Sequence, residues 1–205
     1  MNFLFDFGGV LVDLDRQRCI EAFAEINFDV KPYLGTYAQA GLFSKLERGV
    51  VSIHEFCDEL RGLSEKKDLP DEAIVHAWEQ YLIGVPENRL EMLLKIGQHY
   101  PVHVLSNTNE IHWAIARERF FRYRGHTIRD FFNEIFLSCE LGVEKPAPQI
   151  YQAVVERLAC PPDEILFLDD CEENCVAAQQ AGLQARLAPA GGKWLEFFTP
   201  DGYYI

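Results

Sequence analysis

Polar clusters stand at or just past the ends of short apolar runs at four places in this chain. Asp6 with Gly8-Gly9 follows Phe3-Leu4-Phe5, Ser106-Asn107 follows Val102 to Leu105, and Asp169-Asp170 follows Ile165 to Leu168. Glu144-Lys145-Pro146 lies a few residues past Ile135-Phe136-Leu137. An ionised Asp costs several kcal/mol to bury unless it is paired or binds a metal, so an acid closing a buried strand asks for a function. Together the clusters supply carboxylates, an ammonium and a hydroxyl, a set suited to phosphoryl transfer. Asp6 and Asp170 offer hard oxygen ligands for Mg²⁺, which takes a few carboxylates together with water and phosphate oxygens. Lys145, the Ser106 hydroxyl and the backbone N–H groups of Gly9 and Asn107 would hold phosphoryl oxygens. Asp6 would then act as nucleophile through an aspartyl-phosphate that water hydrolyses. Taken singly, each group also has a plain structural role, as a turn, a loop or a helix cap. Their joint placement argues for one site.

The elements that must position these groups follow from periodicity. Residues 16 to about 84 read as helices, over Arg16 to Glu25, Tyr33 to Leu46, Ser52 to Leu63 and Asp71 to Leu82. Ser52 with Glu55 forms a capping-box pattern, and Ile74, Ala77, Trp78 and Tyr81 recur at helical spacing as core positions. From Pro86 helices and strands alternate, which predicts a parallel sheet covered on both faces. The helices span Glu87 to His99, Ile111 to Phe120, Gln149 to Leu158 and Glu173 to Ala181. The strands are Val102 to Leu105, Ile135 to Leu137, Ile165 to Leu168 and Gln184 to Leu187. In such a sheet ligands bind beyond the carboxyl ends of the strands, where the strand order reverses. The aromatic tail, Trp194 to Ile205, is expected to pack on the domain surface.

Composition narrows the partners. With 205 residues, 48% of them hydrophobic, the chain can bury a sizeable core, and its net charge of -13 disfavours nucleic acid as a ligand. There is no apolar run of membrane-spanning length and no signal-peptide pattern, so a cytoplasmic protein without a membrane partner is expected. The cysteines at 19, 57, 139, 160, 171 and 175 form no disulfide framework. Oligomeric state is not legible. Gly191-Gly192-Lys193 lacks the spacing of a phosphate-binding P-loop. Cys171 and Cys175 lack the further ligands of a thiolate metal site, and His112-Trp113 reads as a helix flank. Arg117, Arg119, Arg122 and Arg124 read as a solvated face, with the mouth of an anion site as the alternative.

The motifs Phe5-Asp6-Phe7-Gly8-Gly9-Val10-Leu11, Leu105-Ser106-Asn107-Thr108-Asn109, Glu144-Lys145-Pro146 and Phe167-Leu168-Asp169-Asp170 resemble, in type and order, those of the haloacid dehalogenase-like superfamily. The resemblance is greatest to the bacterial branch that includes alpha-D-glucose-1-phosphate phosphatases, and extends to the phosphatase domain of soluble epoxide hydrolases. It implies an α/β fold with a Rossmann-like three-layer core. The sheet order would be 5-4-1-2-3, counted over the strands in chain order. The core would comprise residues 1–15 and 85–205, with 16–84 as an inserted helical cap. By motif match Asp6 would be nucleophile, Ser106 and Lys145 the phosphate-site pair, and Asn107 a backbone donor. Asp6, the Gly8 carbonyl and Asp170 would ligate Mg²⁺, with Asp169 acting through water. The implied substrate is a small phosphate ester, such as the sugar phosphate glucose 1-phosphate.

One position departs from the phosphatase pattern. Where family phosphatases carry a second Asp as general acid and base, this chain has Gly8. General acid–base help is typically worth about 10²–10⁴ in rate. Either the leaving group is an acidic anomeric hydroxyl or another carboxylate, such as Glu47 or Asp13, carries the proton. Hydrolysis of a 2-haloacid, which needs no second Asp, and a non-catalytic sensor of phosphorylated metabolites are the alternatives. The intact Asp169-Asp170 pair weighs against the first, and retention of Asp6, Lys145 and both later acids against the second.

Overall fold

The computed structural model describes residues 1–205. Its organising strand is β1 (Asn2–Phe5), the centre of a five-stranded sheet. β1 runs parallel to β4 (Val102–Ser106) on one side and β6 (Ile165–Asp169) on the other. β5 (Glu134–Leu137) and β7 (Gln184–Leu187) form the outer strands, again parallel. The sheet order is β5-β4-β1-β6-β7. This numbering departs from the expected 5-4-1-2-3 because β2 (Asp13–Leu14) and β3 (Leu82–Gly84), which the sequence does not reveal, pair with each other outside the sheet. Counted without them and from the β7 edge, the neighbours run 5-4-1-2-3.

The apolar runs are continuous because each inner strand is covered on both faces. Side chains alternate along a strand. Phe3 and Phe5 accordingly enter the larger hydrophobic cluster, while Leu4 enters a second one with Leu105, Phe136, Ile150, Tyr151 and Phe167. The helices packed around the sheet after β3 are α5 (Glu87–Ile96), α6 (Glu110–Ile115), α7 (Ile128–Phe131), α8 (Ser138–Leu141), α9 (Pro148–Leu158) and α10 (Glu172–Gln180). No helix is long and apolar enough to cross a membrane.

Between β2 and β3 lie α1 (Arg16–Glu25), α2 (Gly41–Glu47), α3 (Ile53–Leu63) and α4 (Asp71–Glu79). The Ser52–Glu55 capping box forms as expected, each side chain meeting the other residue's backbone N–H. Two expectations need correction. The helix expected over Tyr33 to Leu46 begins only at Gly41, after a 3-10 turn at Lys31–Tyr33 and a bridge between Leu34 and Gln39. Gly35 sits in a turn so tight that a Cβ there would fall 2.0 Å from the Ala38 carbonyl oxygen, a packing that a continuous helix does not allow. The helix expected to reach Leu82 stops at Glu79, because Leu82 and Gly84 pair with Leu14 and Asp13.

The aromatic tail lies on the surface at Tyr203 and Ile205, as expected, but Trp194 and Phe198 are interior. Trp194 is fully buried, stacks edge-on against Phe5 with centroids 5.0 Å apart, and donates from Nε1 to the Val10 carbonyl at 3.0 Å. Phe198 packs on Phe3 at 5.0 Å. The tail therefore supports the turn that follows β1.

His103, on β4, is 3% exposed, its Nδ1 has no partner, and Nε2 lies 3.3 Å from Asn2 Oδ1. Burial depresses its pKa from 6.5 to about 4. The unfolded chain binds this proton below about pH 6.5 while the folded chain refuses it until about pH 4, so the associated stability is full above 6.5 and is lost as pH falls. At pH 5 the loss is about 2 kcal/mol. His103→Leu is expected to lose less melting temperature than wild type between pH 7.5 and pH 5 in thermal denaturation. An unchanged drop would refute this account.

Candidate active site

β1, β4 and β6 end side by side at one edge of the sheet, and their continuations carry the polar groups. Asp6 follows β1, Ser106 closes β4, and Asp169 closes β6 with Asp170 next. Lys145 arrives from the loop between α8 and α9. Its ammonium lies 2.5 Å from Asp6 Oδ1, 2.7 Å from Asp169 Oδ2 and 3.3 Å from the Leu105 carbonyl. Asp6, Lys145, Asp169 and Asp170 are thus brought together, and Ser106 ends the strand beside β1.

Each is held by identifiable partners. Asp169 is fully buried and also accepts from the Cys171 N–H at 2.8 Å and from Asn174 Nδ2 at 3.1 and 3.2 Å. The Asn107 side chain clamps the lysine's backbone, donating to the Lys145 carbonyl at 2.9 Å and accepting its N–H at 2.7 Å. The Asn107 N–H has no acceptor within the protein, and the Ser106 hydroxyl is buried without a partner. An unpaired buried hydroxyl costs about 1–3 kcal/mol, which an incoming oxygen would relieve.

The expected role of Gly9 needs correction. Its N–H already donates to the Val12 carbonyl at 2.8 Å. What Gly9 contributes is a missing side chain, since a Cβ there would fall 2.3 Å from Asp170 Oδ2, and its φ of 82° suits glycine. The N–H groups of Phe7 and Gly8, which sequence reasoning did not single out, have no acceptor and lie at the site.

Burial pushes the Asp6 carboxyl up to about 7, opposed by Lys145 and reinforced by the charges of Asp169 and Asp170. Burial likewise pushes Asp170 up to about 6, with Asp169 adding to it. For Lys145 burial opposes the charge, but Asp169 and Asp6 outweigh it, so its pKa is raised and it stays an ammonium. Carboxylate oxygens of Asp6, Asp169 and Asp170 lie within 4.8 Å of one another. One ammonium against three carboxylates leaves an excess of negative charge that a hard divalent cation fits. The Gly8 carbonyl accepts no hydrogen bond and is available beside them.

The site opens into a cavity of about 80 Å³ lined by Asp6, Gly8, Asn107, Lys145 and Asp170 from the core and by Thr36, Tyr37, Gln39 and Glu47 from the insertion. Sequence reasoning missed Thr36, Tyr37 and Gln39, because the irregular stretch before α2 reads as helix. It also missed Asn174, whose only signal was an uncharged polar residue four positions after Asp170. His112 lines the cavity but is spent on structure. Its Nε2 donates to the Trp78 carbonyl at 2.9 Å, and burial depresses its pKa to about 4. Asp13 is turned away to pair with buried Arg89 at 2.7 Å. The basic run is exposed and paired in part with Glu118 and Glu91, outside the cavity. Cys171 and Cys175 are buried free thiols.

The sequence model of the haloacid dehalogenase-like hydrolase family matches residues 1–182. The chain belongs to that family. Among the hydrolase's relatives is the D-ribitol-5-phosphate phosphatase of Bacteroides thetaiotaomicron, 33% identical over 201 residues that make up 97% of this chain and 96% of that one. A haloacid dehalogenase family enzyme of Bacteroides thetaiotaomicron, solved in complex with magnesium and inorganic phosphate, superposes with a TM-score of 0.91 at 38% identity. The match covers 97% of this hydrolase and 98% of that chain. A predicted family hydrolase from Porphyromonas gingivalis gives a TM-score of 0.87 at 30% identity, covering 95% and 94%.

A methyl group at position 9 must displace Asp170 from the acidic cluster. Gly9→Ala is therefore expected to weaken Mg²⁺ binding at least tenfold in titration calorimetry. Binding at wild-type strength would show that Asp170 is not part of the cation site.

Proposed function

We propose that this hydrolase is a Mg²⁺-dependent phosphatase of small polyhydroxylated phosphate monoesters, with Asp6 as nucleophile. The observation that carries the reading is Asp6 fixed 2.5 Å from the Lys145 ammonium, with the unpartnered Ser106 hydroxyl at the end of the adjoining strand. A dianionic phosphoryl group needs positive charge and free donors around it, and the site offers Lys145, the Ser106 hydroxyl and the N–H of Asn107, with those of Phe7 and Gly8 alongside.

Asp6, Asp170 and the Gly8 carbonyl would hold the cation, which when bound offsets the charge repelling phosphate from a carboxylate. Asp169 supports the centre from behind, since its oxygens are committed to Lys145, Asn174 and the Cys171 N–H. Asp6 attacks phosphorus, the ester oxygen departs, and water then cleaves the aspartyl-phosphate. Lys145 and Ser106 hold the phosphoryl oxygens through both steps.

The elements divide accordingly, with 1–15 and 85–205 as catalytic core and 16–84 as a cap that closes the cavity and selects the leaving group. Polar cap groups such as Thr36 and Gln39 favour a hydroxyl-bearing substrate. The relative acting on D-ribitol 5-phosphate supports an open-chain polyol phosphate. Gly8, in place of an acid, favours an anomeric phosphate such as glucose 1-phosphate. We place the activity in the cytoplasm.

A panel of polyol and sugar phosphates containing both compounds, assayed with Mg²⁺ and with chelator, tests the reading. Turnover is expected only with Mg²⁺ and is expected to fall at least a thousandfold in Asp6→Asn. Metal-independent halide release from a 2-haloacid without phosphatase activity would overturn it.

A further inference from the structure

We propose that Glu47, delivered by the helical insertion, carries the proton in both steps of the reaction. The inference rests on the phosphatase reading above and supplies what Gly8 leaves out. A Cβ at Gly8 would lie 3.3 Å from Leu14 Cδ1, closer than an ordinary contact. Glu47 ends α2, is 5% exposed, and lines the same cavity as Asp6, Lys145 and Asp170.

Its placement over the core is fixed by two contacts independent of its carboxyl. The Ser138 hydroxyl, at the start of α8, donates to the Glu47 carbonyl at 2.5 Å while accepting the Thr108 N–H at 2.9 Å. Two residues on, Gly49 has a φ of 64° and packs so closely that a Cβ would fall 2.1 Å from the Cys139 carbonyl oxygen. The backbone around Glu47 is therefore seated on the loop that follows Ser106 and on the helix that follows β5. The carboxyl itself hydrogen-bonds no side chain, and the nearby Gln39 N–H favours its charged form.

The surroundings favour the protonated acid. Burial, and then the charge of Glu144, hold the Glu47 pKa well above the usual carboxylate range, with the Gln39 N–H opposing. The remaining charged or titratable groups on the cavity wall are Asp6, Asp170, Lys145, neutral His112, Tyr37, Tyr81 and Cys171. His112 has its donor on Trp78, and Asp13 is paired with Arg89, so neither competes for the role.

In the first step Asp6 forms a bond to phosphorus, the bond from phosphorus to the ester oxygen breaks with its electron pair on that oxygen, and Glu47 gives its proton there. An alcohol leaves and Glu47 becomes a carboxylate. In the second, water oxygen bonds to phosphorus, Glu47 takes one water proton, and the bond from phosphorus to Asp6 breaks. Inorganic phosphate, Asp6 carboxylate and protonated Glu47 result.

Glu47→Gln separates this role from a structural one. With D-ribitol 5-phosphate, or whichever alkyl phosphate wild type turns over best, kcat is expected to fall about 10²–10³-fold. Melting temperature and affinity for inorganic phosphate with Mg²⁺ should stay at wild-type values. With p-nitrophenyl phosphate, whose leaving group needs no proton, the variant should release one equivalent of nitrophenol at the wild-type rate and then stall at the aspartyl-phosphate. Alkyl phosphate turnover within twofold of wild type would overturn the proposal, as would a nitrophenol burst slowed as much as alkyl turnover. If Gln impairs folding, Glu47→Asp keeps the acid but shortens its reach, and the same burst with reduced turnover is expected. Wild type inactive on every ester would instead count against the phosphatase reading itself.

Discussion

The structure depends on one buried ammonium. Lys145, with its side chain almost wholly enclosed, sits between Asp6 and Asp169 at 2.5 and 2.7 Å. Taking such charges out of water costs several kcal/mol per ion, and the cost is met only when geometry and further hydrogen bonds are good. Here they are: Asp169 has additional donors in Asn174 and the Cys171 N–H, and the lysine backbone is clamped on both sides by Asn107. The ammonium thus ties together the ends of β1, β4 and β6. A core of hydrocarbon could pack these strands as well, but it would not fix the Asp6 carboxylate in one orientation.

The same triad explains why Asp169 and Asp170, adjacent in sequence, have unlike surroundings. β6 ends with Asp169 pointing into the protein, where Lys145 needs it. The next residue faces the cavity, beside a glycine that leaves it room. Alternation along the last turn of a strand is enough to make one acid a support and its neighbour a candidate ligand.

Much of this was legible before any coordinates. Continuous apolar runs ending in Asp6, Ser106 and Asp169 mark inner parallel strands, and the carboxyl-end rule brings them together whatever the helices do. The capping box at Ser52 is a local signal and forms locally. What could not be read depends on contacts between distant segments. Gly9 looks like a phosphate-loop donor until its N–H is seen to serve Val12. Trp194 looks like surface dressing until it is found against Phe5. The stretch from Leu34 to Ala40 carries helical spacing, but Gly35 and Gly41 let the chain fold into a turn that lines the cavity. Glu47 shows the same limit from the other side, because its burial comes from a partner surface about ninety residues away at Ser138.

The central position of β1 also constrains the order in which the molecule can be assembled. Phe3 pairs with Val102 and with Leu166, residues that leave the ribosome roughly a hundred and roughly a hundred and sixty positions later. Before the first of these the strand bearing Asp6 has no neighbour, before the second it has one on a single side, and the Val10 carbonyl must wait longer still for the indole of Trp194. A chain being synthesised thus presents Asp6 long before the strands that flank it exist, and the proposed site can assemble only after β6 has been made.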